Sequence, residues 1–231
     1  MNMPSVVSVR ETDLGHHLEQ AKAWLSLSDN GKNTSYLSYA AFELRLATER
    51  LVLQYWADLH PNGIQENDIR DMRSFKGIEA RIYELGGNQK EINALFAFYA
   101  ILMKLLQVPS QIVAPDIGQL KRHWHDCSEL CHIAWSIASS DPDIQVEQYS
   151  LMSQIEAELQ QYRNSIVGWP HISDTAFSEL KDRFVSGLAD EKDVRAFLEK
   201  SGAWAKITPS GGGSSSFVGK AIPPAQGDSG D

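Results

Sequence analysis

The chain has 231 residues, 42% of them hydrophobic, and a formal net charge of −9. That apolar content fills one core of moderate size. The acidic balance excludes a generic basic surface for nucleic acid, because non-specific affinity comes from Lys and Arg neutralising phosphates, but it leaves room for a local basic patch.

Cys127 and Cys131 are the only cysteines, four positions apart, so no disulfide framework is expected and a reducing cytoplasm is the natural setting. The opening MNMPSVVSVRETDLG lacks an apolar stretch, so no secretory leader is expected. The longest apolar run, INALFAFYAILMKLL at 92–106, is too short for a membrane span and reads as a core helix.

In chain order, an N-terminal arm covers residues 1–11. Leu14, Leu18, Ala21 and Leu25 recur at helical spacing and predict a helix over 12–27, broken by Asp29-Asn30-Gly31. TSYLSYAAFELRLATERLVLQYWADLH, 34–60, predicts a long second helix ended by Pro61-Asn62-Gly63. It is apolar nearly all round, which predicts a central, buried position. A third helix is expected from about 67 to 85, closed by Gly86-Gly87, and a fourth from about 90 to 106. Asp116 caps a fifth that reaches about Ala138. The sixth covers about 144–166, the seventh 176–188, and the eighth runs from Asp190 to Lys200. No alternating strand pattern persists. The fold class expected is therefore all-α, a bundle of seven to eight helices. Residues 12–170 form its core. Residues 171–208 pack on it or dock a partner, Val194, Phe197, Leu198 and Trp204 giving an amphipathic stripe. From 209 to 231 the Gly, Ser and Pro content predicts a disordered tail.

HWHDCSELCH, 123–132, gathers three histidines, two cysteines, an aspartate and a glutamate. On a helical wheel it splits in two. Ile117, Leu120, Trp124, Cys127 and Cys131 share an apolar face, so the cysteines read as core packing. Arg122, His125, Glu129 and His132 share the opposite face. His125, Glu129 and His132 have the spacing of a partial metal site, although no second Glu-x-x-His completes it, and a solvated face with local pairing is the better explanation. No phosphate loop appears: Gly86-Gly87 and Gly211-Gly212-Gly213 follow no strand and precede no Gly-Lys-Ser/Thr. Trp24, Trp56, Trp124 and Trp135 lie on apolar stripes, whereas Trp169 and Trp204 lie near helix ends and suit partner contact.

FELRLATER, 42–50, places charges on the apolar second helix. Arg45 and Glu49 lie at i, i+4, with Glu43 and Arg50 on a different side. Charges there are costly unless paired, so Arg45 and Glu49 either order neighbouring helices or line a cleft or interface.

The stretch YAAFELRLATERLVLQYW carries an A-x-x-x-R-x-A-x-E pattern and resembles the early helix of HEPN-like proteins. YRNSIVGWPH, 162–171, is similar to their second signature, an arginine followed by a polar residue and, after a short gap, a histidine. The resemblance implies a helical bundle that commonly dimerises. In active members the arginine and histidine cut RNA without metal, the histidine moving a proton and the arginine stabilising developing charge. Arg163 and Asn164 match the start of that motif. His171 stands beyond seven intervening residues that include Gly168-Trp169-Pro170, a longer gap than the pattern has. Arg122 does not replace Arg163, since His125 is too near it and His132 too far. Arg163-Asn164 also suits a plain helix C-terminus, with Arg on the dipole and Asn in a left-handed cap.

The leading expectation is therefore a non-catalytic interaction or regulatory subunit that partners another protein or a second copy. The resemblance places it in a prokaryotic defence or stress assembly. The alternative is a metal-independent ribonuclease using Arg163, Asn164 and His171, with RNA as its partner. A third is a metal-binding bundle. No cofactor and no membrane are expected.

Overall fold

A computed structural model describes residues 14–60, 64, 68, 73–107, 111–131, 141–165 and 174–201, and the backbone alone of 204–207 and 217–220. The chain is all-α. Its described helices are α1 (Leu14–Leu27), α2 (Thr34–Asp58), α3 (Phe75–Gly86), α4 (Gln89–Leu105), α5 (Ile117–Cys131), α6 (Pro142–Arg163), α7 (Thr175–Val185) and α8 (Glu191–Ser201).

Local chemistry sets where these helices begin. Short polar side chains satisfy backbone N–H groups that the first turn leaves without partners. Ser74 accepts from Gly77 N at 3.1 Å, Asp116 from Gln119 N at 2.8 Å and Asp174 from Phe177 N at 2.9 Å. Asn88 and Glu91 form a capping box at α4. Pro142 occupies the first turn of α6 behind the Asp141 cap, so that helix starts two residues before the expected 144. The part of the fifth helix expected beyond Cys131 lies outside the described residues.

The α1–α2 turn depends on Gly31, at φ +91, and a Cβ there would collide with the Gln145 carbonyl oxygen at the start of α6. Only glycine gives both the conformation and the close approach.

α2 is central, packing against α1, α3, α5 and α6. Leu44, Leu51, Val52, Tyr55 and Trp56 are fully enclosed, and Leu18, Ile82, Ile92, Leu120, Cys127, Met152 and Ile155 complete the main core around them. Burying each large apolar side chain contributes about 1.5–3 kcal/mol. The expectation that α2 is buried all round needs correction. Tyr39 and Phe42 remain 54% and 49% exposed, because α1 covers only part of the first half of the helix. Trp24, expected on a core stripe, is half-buried and stacks with Tyr36 at 5.7 Å.

α4 joins two clusters. Ile92 and Phe96 belong to the main core, while Phe98, Tyr99 and Leu102 pack with Leu180 of α7 and with Val194 and Leu198 of α8. The amphipathic stripe of α8 is thus covered from within the chain.

Beyond α8, Trp204–Ile207 (β1) pairs antiparallel with Phe217–Lys220 (β2), Trp204 opposite Lys220 and Ile207 opposite Phe217. Aromatic and β-branched residues in WAKI and FVGK favour pairing across the Gly/Ser-rich link.

Candidate functional site

The C-terminal half of α2, the start of α3 and the middle of α5 enclose a cleft of about 330 Å³. Two adjacent stripes of α2 form its floor, Arg45, Glu49 and Val52 on one, Leu46, Arg50 and Leu53 on the other. Arg73, Ser74, Phe75 and Ile78 form a wall from α3, and Trp124 of α5 closes it.

One carboxylate oxygen organises the cleft. Glu49 Oε1 accepts from Arg45 Nε at 3.1 Å and from Trp124 Nε1 at 2.7 Å. The Arg45 guanidinium lies over the Trp124 ring, 5.1 Å from its centre, a cation–π contact that fixes its plane. Phe75 packs on the same indole, 5.5 Å between ring centres and tilted by 36°. Arg50 and Arg73 have no acidic partner among the described residues. Among the described residues the lining therefore has three arginines against one carboxylate. On a chain of net charge −9 this is a local reversal of sign.

The structure thus joins Arg45 to Glu49, as their spacing predicts, and adds three residues that sequence reasoning missed as site members. Arg50, read as facing a different side from Arg45, lines the same cleft, because the cleft is wide enough to take both stripes. Glu43, grouped with Arg50 in the sequence, turns instead to α1 and bonds His17 Nδ1 at 2.7 Å. Arg73 stood in no motif. Trp124 was read as core, and its ring does pack against the core, but its indole N–H reaches Glu49. A visible signal was there: a tryptophan N–H on a buried stripe needs an acceptor.

The other candidates stand apart from the cleft. Arg163 ends α6, where its Nη2 bonds Glu19 at 2.6 Å and its guanidinium lies against Gly15 of α1. Asn164 caps α6 in right-handed conformation, at φ −81, rather than the left-handed one expected. His171 and Trp169 lie outside the described residues, as does His132, and of Trp204 only the backbone is described. His125 and Glu129 are exposed on the outer face of α5. Among the described residues no three His, Cys, Asp or Glu side chains gather as a metal site would need. Also among the described residues, no helix is long and apolar enough to cross a membrane.

Cys127 is buried with its sulfur 4.0 Å from that of Met152, and burial pushes its thiol up. Burial also pushes up the half-buried Cys131 thiol, with Arg45 acting the other way. Neither is poised as a nucleophile, which needs a lowered pKa. His123, which the sequence left without a role, is buried and pairs with Glu158 of α6 at 2.7 Å. Glu158 also accepts from Gln119 and from Gln154.

Compared with known families, curated proteins and solved structures, the chain has no match.

Proposed function

We propose that this chain is a non-catalytic helical recognition protein, a regulatory or interaction subunit, and that the α2–α3–α5 cleft takes an anionic group. The observation that carries this reading is that Arg45, Arg50 and Arg73 line one cleft that has, among the described residues, a single carboxylate. Guanidiniums are weakly hydrated, always charged and forked, which suits them to anions in partly enclosed sites. Among the described residues the same lining contains no His, Cys or Lys. Ser74 is engaged as a helix cap, and Glu49 holds Arg45 and Trp124. That set binds and orients, and it offers no relay for proton transfer or nucleophilic attack. The HEPN-like resemblance at 39–56 would set such a subunit in a defence or stress assembly. The ribonuclease alternative gains no support from Arg163, which is engaged with Glu19.

Titration calorimetry at low ionic strength with acetate, sulfate and phosphate tests the reading. At least one anion should saturate a single site, and Arg50→Gln should weaken it about ten-fold, the loss expected for one charge-assisted hydrogen bond. Absence of saturable binding to all three would remove the reading.

A further inference from the structure

Taking the cleft as the recognition site proposed above, we infer that its ligand is a small-molecule phosphate monoester with an apolar body. Charge is the first argument. Among the described residues, three arginines less one carboxylate leave two positive charges in the lining. A phosphate monoester carries about −1.5 to −2 near neutral pH and matches that surplus, while a carboxylate or a single phosphodiester leaves half of it uncompensated.

Donor geometry is the second. Arg45 gives its Nε to Glu49, and the Trp124 ring sets the plane of its guanidinium, so its two terminal nitrogens keep their N–H groups for a ligand. Arg50 and Arg73 bring two further forks without acidic partners among the described residues. Three forks suit the three terminal oxygens of a phosphoryl group better than the two of a carboxylate. The α3 N-terminus, capped by Ser74, forms part of the same wall and adds the favourable end of the helix dipole.

The remaining lining selects the body of the ligand. Leu46, Leu53, Phe75 and Ile78 offer an apolar wall with no further donors or acceptors in their side chains. The cleft's volume, about 330 Å³, falls at the small end of small-molecule sites. Single-stranded RNA fits poorly. Arg45 and Phe75 already pack against Trp124, which with Phe75 supplies the aromatic lining among the described residues, so those residues leave no open platform on which a base could stack.

Calorimetry on the full chain at about pH 7.5, where the monoester is close to a dianion, tests the assignment with phenyl phosphate, benzoate, a short phosphopeptide and a single-stranded RNA oligomer. Phenyl phosphate should bind one site at least about ten-fold tighter than benzoate. Arg73→Gln, at an exposed position, should weaken phenyl phosphate about ten-fold. Glu49→Gln keeps an oxygen for Arg45 and Trp124 but removes the opposing charge, so it should tighten phenyl phosphate about three-fold or more. Benzoate binding as tightly as phenyl phosphate, with the same loss in Arg73→Gln, would overturn the phosphoryl assignment and leave the recognition site standing. Tighter binding of RNA, or of a phosphopeptide over phenyl phosphate, would overturn the small-molecule assignment. No saturable binding of any probe would remove both.

Discussion

Trp124 on α5 donates its indole N–H to Glu49 on α2 across 2.7 Å. The two residues are 75 positions apart in the chain, and their bond ties together the helices that carry the cleft. The same oxygen holds Arg45, so the floor and the closing wall share one acceptor.

Trp124→Phe keeps most of the ring packing and removes the donor. It should lower stability by about 1–2 kcal/mol, the worth of a partly exposed hydrogen bond to a charged acceptor. Glu49→Gln should cost less, because an oxygen acceptor remains. Urea unfolding of Trp124→Phe, of Glu49→Ala, which removes the acceptor altogether, and of the double variant gives the coupling between the two residues. A coupling near zero would show that the bond does not tie α2 to α5.

Glu158→Ala should be more damaging. It leaves the buried His123 without its carboxylate and also strips Gln119 and Gln154 of an acceptor. A loss of about 2–3 kcal/mol in urea unfolding is expected for such a network. A change below about 0.5 kcal/mol would mean that the network does not tie α5 to α6.

Arg163→Ala removes a surface ion pair with Glu19. Exposed pairs contribute little, so stability should change by less than about 1 kcal/mol, and anion binding at the cleft should be unchanged. If the wild-type chain cleaved RNA and this variant did not, the non-catalytic reading would be wrong.

Alkaline pH should destabilise the fold through Cys127. Burial holds its thiol protonated above the ordinary range. Below about pH 8.5 both folded and unfolded chains keep the proton, and stability is flat with respect to this group. Above it the unfolded chain loses a proton that the folded chain retains, so stability falls as pH rises. The slope is about 1.4 kcal/mol per pH unit for each such thiol. Thermal unfolding across that range should show the decline, with a shallower one in Cys127→Ala. A wild-type curve that stays level there contradicts the burial of this thiol.

The helices were legible because their causes are local. Asp116 and Asp190 announce starts within one turn of the side chains that use them, and Gly31 and Gly87 mark ends. The core stripe of α5 was equally legible, since Leu120 and Cys127 lie at helical spacing and the packing partner need not be known. The cleft was only half legible. Arg45 and Glu49 share one helix, so spacing finds them, but Arg73 and Trp124 reach them from elsewhere in the chain. Nor could the wheel show that Arg50 faces the cleft while Glu43 faces α1, because that depends on where α1 stops covering α2. His123 was unreadable for the same reason: its burial and its partner come from Glu158 on α6.

The most direct test of the cleft's role is an NMR titration of the arginine side-chain Nε–H resonances with phosphate. The account predicts that Arg45, Arg50 and Arg73 shift together and saturate with one binding constant, while Arg163 and Arg195 stay fixed. Small shifts spread over all the arginines without saturation, or a saturating shift centred on Arg163, would contradict it.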